Sequence, residues 1–163
     1  MARVSEKNVR YRTKDEICGD LAFVLACEEL HIGTRLCVVD QVFWVWSEWD
    51  GKHRGCKLWS AKAREVAEQV GKGPLRGILI HEHLVPKKLI REKLLALPSP
   101  SAVEIRILLD AWCIGVVVTK EEDKRLNDCG LGSSMPRDWD GKDVWARYTM
   151  AGIDVPREEE EAC

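Results

Sequence analysis

No stretch of the 163-residue chain approaches the roughly 18 consecutive apolar residues that a membrane-spanning helix requires. Its opening residues, MARVSEKNVRYRTKDE, lack the apolar core of a secretory leader, so the expected compartment is the cytoplasm and no membrane partner is expected. Cys-x-x-Cys is also missing, which removes the spacing of zinc knuckles and thioredoxin-type redox motifs. The seven cysteines are odd in number and scattered, and a chain with 45% apolar residues can build a core without covalent staples. Most of them are therefore expected to be reduced core residues. Asparagine occurs only at Asn8 and Asn127. Gly71-Lys72-Gly73-Pro74 lacks the spacing of a phosphate-cradling loop and reads as a turn. No internal repeat appears, and the one low-complexity stretch is the glutamate run within an acidic tail at 157–163.

What is present fits a single domain covering 1–163, with 32% charged residues and a net charge of -2. The charge is uneven. From Lys52 to Lys93 there are eleven Lys/Arg against four Asp/Glu. Such a zone is compatible with a phosphate backbone and equally with solvated helix faces.

Residues 1–12 are polar and read as an arm. Thr13 with Glu16 forms a capping box, and Ile17, Leu21, Val24, Leu25 and Leu30 recur at helical spacing until Gly33. In 35–49 the β-branched and aromatic residues favour a strand, but the length and the stripe at 38, 42, 45, 46 and 49 predict a helix. Ser60 caps a helix over about 61–70, so 13–70 is a helical, Trp-rich part. Trp44, Trp46, Trp49 and Trp59 have two readings, as core residues or as a surface that stacks on nucleobases or meets a protein partner. His31 and His53 fall in turns, with no partner evident from sequence.

The run Ile78-Leu79-Ile80-His81-Glu82-His83-Leu84-Val85-Pro86 ends an apolar strand, expected at 76–81, in three metal-competent side chains. Pro86 opens a helix at its favoured first position, 86–97. Ser101 with Glu104 caps a helix at 102–113, Val116-Val117-Val118 is a buried strand, and Thr119 with Glu122 caps a helix at 120–128. A last helix is expected at 142–151, preceded by Asp138, Asp140 and Asp143 with Trp139 and Trp145. The fold class that follows is mainly α with a small two-stranded antiparallel β element. On the last of the capped helices Asp123 and Asn127 share a face, and two oxygen donors there plus a carboxylate from the strand suit Mg2+ or Mn2+. An imidazole beside them has the pKa range for a general base.

At these residues the chain resembles the HNH, or ββα-metal, nuclease superfamily. Glu82-His83-Leu84-Val85-Pro86 is similar to the acidic-or-His, His, x, x, Pro string that ends that family's first strand, and Val116 to Leu126 is similar to its second strand and helix. The resemblance covers about 76–128 and implies a ββα-metal-like core there. It implies His83 as general base, Glu82, Asp123 and Asn127 as ligands to a divalent metal, with His81 a further candidate, and metal-dependent hydrolysis of DNA or RNA, phage- or defence-associated. Lys87, Lys88, Arg91 and Arg76 would contact the flanking phosphates. Asp123 stands where many members have His, and the family's middle Asn has no counterpart. The alternative is a catalytically degenerate ββα scaffold that binds or inhibits a nucleic-acid-handling complex. A third reading is an unrelated helical protein whose cluster binds a structural metal or nothing.

Overall fold

The computed structural model describes residues 13–156; the polar arm and the acidic tail expected from sequence lie outside the described residues. Among the described residues seven α-helices surround one small sheet: α1 (Lys14–Ala26), α2 (Ile32–Ser47), β1 (Leu58–Trp59), α3 (Ala61–Val70), β2 (Leu79–His83), α4 (Lys87–Leu95), α5 (Ala102–Trp112), β3 (Gly115–Thr119), α6 (Lys120–Asp128) and α7 (Ala146–Met150). The fold is mainly α with a small β element, as the sequence pattern implies. β2 and β3 pair antiparallel with Ile80 opposite Val118 and Glu82 opposite Val116, and β1 adds two residues parallel to the other side of β3.

The caps predicted from sequence are formed. Thr13 Oγ1 accepts the Glu16 N–H at 3.1 Å, and Ser101 and Thr119 form reciprocal capping boxes with Glu104 and Glu122. The first helix stops earlier than its apolar spacing suggests: α1 ends at Ala26, and His31 Nδ1 restarts the chain by accepting the Gly33 N–H at 3.1 Å. The final helix is shorter than expected. Asp140 Oδ1 takes the Lys142 and Asp143 N–H groups and Asp143 Oδ1 takes that of Trp145, which holds those residues in turns and delays α7 to Ala146.

The shift in β2 matters most. Gly77 at φ +81 and the Leu75 carbonyl, which accepts the Ile78 and Leu79 N–H groups, hold 75–78 in a turn. The strand therefore starts at Leu79 and runs through His83, three residues later at one end and two at the other than the 76–81 expected. His81, Glu82 and His83 are strand residues, not a corner after a strand, and successive side chains must point to opposite faces.

Three apolar clusters follow from this layout. Ile17, Leu21, Val39, Phe43, Ile90 and Leu109 join α1, α2, α4 and α5. Leu84, Val116, Val118, Leu126 and Tyr148 fill the sheet face under α6 and α7, and Ala63, Leu75, Leu79 and Val117 seat α3 on the other face. Of the cysteines, Cys18 and Cys113 are buried and the others described are half-buried or exposed, all as free thiols, so the expectation of mostly core cysteines holds for two. Among the described residues no helix is long and apolar enough to cross a membrane.

Candidate functional site

Alternation along β2 divides the His-Glu-His cluster. Leu79, His81 and His83 are buried on the face toward α2 and α3, whereas Ile80 and Glu82 face α6 and α7. On the first face, the two imidazoles stand edge-on with centroids 5.8 Å apart, and the Trp44 indole of α2 lies 6.5 Å from His81 and 5.9 Å from His83. Gly115 of β3 makes room for them, because a β-carbon there would come within 2.5 Å of His81 Nε2. Both ring nitrogens of His81 and Nε2 of His83 are buried without a hydrogen-bond partner. Burial pushes the His81 pKa down to about 4, and that of His83 down to about 3, with the neighbouring His81, Lys87 and Arg147 adding to the effect at His83.

On the opposite face, Glu82 meets Arg147 of α7, whose side chain is fully buried. Its guanidinium donates to Glu82 Oε2, to the carbonyls of His83 and Leu84, and to that of Leu131. The His83 N–H also points to Glu82 Oε2. Burial raises the Glu82 pKa, and the Arg147 charge opposes the rise. Asp123 is on the same side of the sheet, near enough for its charge to bear on Glu82 and on the buried Tyr148 hydroxyl. Asn127 Nδ2 donates to the Asp123 carbonyl at 2.9 Å, one turn back along α6, and its Oδ1 lies against Gly132, where a β-carbon would come within 2.1 Å.

A divalent cation requires several oxygen or nitrogen donors converging on one point. Glu82 and Asp123 come to one side of the sheet, as a metal site would need. His81 and His83 project from the other, and the Glu82 oxygen is held by a guanidinium. Among the described residues no group of three or more His, Cys, Asp or Glu side chains is placed to hold a metal ion. In this arrangement the residues do not fit the ion that the ββα-metal resemblance implies.

A pocket of about 190 Å3 opens where β2 passes into α4. Its walls include Glu82 and His83, Lys87 and Lys88 of the first turn of α4, and Gly132 and Ser133. Lys87 Nζ lies 4.0 Å and Lys52 Nζ 5.0 Å from the centroid of Trp44, which is 36% exposed. The other basic candidates are elsewhere. Arg91 is paired with Asp40, and Arg76 is exposed in the turn before β2, at the opposite end of the strand. A second cavity of about 610 Å3 gathers Trp46, Trp49 and Trp145 with Lys14 and Asp110 beside the C-terminal end of α2, so the Trp-rich part contributes to two separate surfaces.

Sequence reasoning did not identify Arg147. It sits in an ordinary Trp-Ala-Arg-Tyr stretch, with no pattern to mark a buried arginine. It also left His53 unpartnered, whereas His53 Nε2 lies 3.2 Å from the Leu79 carbonyl and helps fix the start of β2. Compared with known proteins, the chain matches no family profile, no curated protein and no solved structure.

Proposed function

We propose that the chain is a nucleic-acid-binding protein built on a ββα-metal-like hairpin and helix, one that holds a strand at the α4 end of its sheet without hydrolysing it. The observation that supports this most is Trp44, a partly exposed indole with two ammonium groups against its ring, next to the pocket bordered by Lys87 and Lys88. An aromatic platform flanked by cations is the combination that binds strands with little sequence preference, through stacking and neutralised phosphates.

The absence of turnover follows from how the remaining groups are committed. A general base works best with a pKa near the operating pH, and burial holds His83 at about 3. A carboxylate that clamps a cation must offer free oxygens, and Glu82 is engaged by Arg147. The second reading, a metal-dependent nuclease of the family resembled, is favoured by one observation: Glu82 and Asp123 share a side of the sheet.

Two measurements separate these readings. Plasmid nicking with Mg2+ or Mn2+ is expected to stay at background, equal in wild type and His83→Ala. Anisotropy with a labelled single-stranded oligonucleotide is expected to show binding that weakens with salt and drops roughly tenfold in Trp44→Ala, the equivalent of one lost stacking contact. Metal-dependent nicking that disappears with His83 would establish the nuclease instead. No oligonucleotide binding at low salt would remove the binding reading.

A further inference from the structure

Among the described residues eight buried side-chain nitrogen or oxygen atoms have no hydrogen-bond partner, and five of them belong to one place. They are Ser47 Oγ and Glu48 Oε1 where α2 ends, both ring nitrogens of His81, and Nε2 of His83. The β-carbon position of Gly115 lies 2.5 Å from His81 Nε2 and 3.1 Å from the Ser47 carbonyl, so the ring and the last turn of α2 face each other across that glycine. Glu48 is the charged group that acts most strongly on His81, and the His83 ring stands 5.8 Å from it. Buried polar atoms without partners are uncommon in folded chains, and five together call for an ion or water to meet them.

The donor chemistry selects an ion. The Phe43 carbonyl of α2 accepts a hydrogen bond from His83, and the His83 atom left without a partner is Nε2. Nδ1 therefore carries the proton and Nε2 presents its lone pair, the arrangement in which a backbone carbonyl orients a metal-binding imidazole. Two imidazoles on one ion, at about 2.0–2.1 Å per nitrogen, have ring centroids roughly 5–6 Å apart, and these two are separated by 5.8 Å on the same face of β2. The carbonyl end of α2 adds a partial negative charge that favours a cation. Other metal-competent side chains nearby are committed: His53 Nε2 to the Leu79 carbonyl, and Cys56 Sγ to those of Leu58 and Gly115.

We infer that His81, His83 and Glu48 form a Zn2+ site that ties the end of α2 to β2, with water in the fourth position. Glu82 and Asp123, on the other face of the sheet, have no part in it. The three donors are not yet converged, because Glu48 Oε1 lies 3.3 Å from Lys52 Nζ, an ion pair without hydrogen-bond geometry. Binding exchanges that ammonium for the metal. The Glu48 side chain is 23% exposed and that of Lys52 49%, so both can turn without disturbing the core. The charges that oppose a cation are Lys52, which the exchange releases, and Lys87, which stays against the Trp44 ring. Mn2+, weakest of the divalent series and partial to oxygen donors, is not expected to drive this exchange.

The site does not depend on strand binding, and Zn2+ alone tests it. Titrated by calorimetry into the full chain freed of metal with a chelator, one equivalent is expected to bind with micromolar or tighter affinity and to raise Tm by several degrees. His81→Ala should weaken binding on the order of a hundredfold and Glu48→Gln about tenfold. Lys52→Gln, which frees the carboxylate and removes an opposing charge, should tighten it several-fold. Circular dichroism checks the fold, and Lys52→Gln keeps the test decisive should His81→Ala not fold. No binding at micromolar Zn2+ would overturn the site. Zinc bound with unchanged affinity in His81→Ala and Lys52→Gln would put the ion elsewhere, as on the exposed thiols of Cys37 and Cys129, and would overturn it as well. Loss in His81→Ala with no response to Glu48→Gln or Lys52→Gln would overturn the three-donor set.

Discussion

His81 and His83 stand edge-on under Trp44, 5.8 Å apart, on the opposite side of β2 from Glu82. Both are neutral in the folded chain at physiological pH, because burial disfavours the imidazolium and a second charge so near would repel the first. In the unfolded chain each has a pKa of about 6.5.

Acid should therefore destabilise the fold early. Below about pH 6.5 the unfolded chain takes up protons that the folded chain refuses until about pH 4 at His81 and about pH 3 at His83. Stability then falls as pH drops through that window and is fully retained above it. At pH 5 the loss is about 1–2 kcal/mol per histidine, and urea unfolding at pH 7.5 and pH 5 measures it. His83→Phe should flatten the slope. A midpoint that does not change between the two pH values would contradict the buried, neutral state.

The Arg147–Glu82 pair predicts a large and asymmetric effect. Arg147→Met leaves Glu82 unpaired and three backbone carbonyls without their donor, a change expected to cost about 3–5 kcal/mol. Glu82→Gln should cost less, since its amide can still accept from the guanidinium. Adding Glu82→Leu to Arg147→Met should recover part of the loss by removing the stranded charge. Denaturant unfolding of these three variants, of Glu82→Leu alone and of wild type gives the coupling, and a loss under about 1 kcal/mol for Arg147→Met would mean the pair is not structural.

Much of the fold could be read from the chain because its signals are local. The capping residues Thr13, Ser60, Ser101 and Thr119 mark helix starts to the residue, and the apolar triplet 116–118 marks the central strand. The divided cluster could not be read this way. Whether Glu82 and His83 share a face depends on where the strand ends, and that was decided by the turn at Gly77 and the contact from His53, both outside the motif. Arg147 lies 65 positions from Glu82, and a single arginine carries no sign of such a partner. The two-residue β1 is likewise invisible to periodicity, since Leu58 and Trp59 are too few to alternate.

Gly115 should tolerate no side chain. Its position opposite His83 at the edge of the histidine layer brings a new β-carbon within 2.5 Å of His81 Nε2 and 3.1 Å of the Ser47 carbonyl. Gly115→Ala is expected to destabilise by about 1–3 kcal/mol through overpacking. In Gly115→Ala with His81→Ala the ring is gone, so the double variant should lose clearly less than the two single losses combined. Additivity of the two would mean the clash is relieved by some other movement.

The last prediction concerns the metal. A divalent site with a dissociation constant one hundredth of the free ion concentration would stabilise the folded chain by about 2.7 kcal/mol. At 5 mM Mn2+, any site with micromolar affinity would exceed that and raise Tm by several degrees. Because Arg147 holds the Glu82 oxygen and the histidines face away, the expected result is no change in Tm, and none on Asp123→Ala either. Arg147→Met frees the Glu82 carboxylate to join Asp123, and this variant is where Mn2+ is expected to begin to stabilise the fold. A wild-type chain stabilised by Mn2+ in a manner lost with Asp123→Ala would show that α7 yields its arginine to the ion, and the hydrolase reading would then displace the binding one.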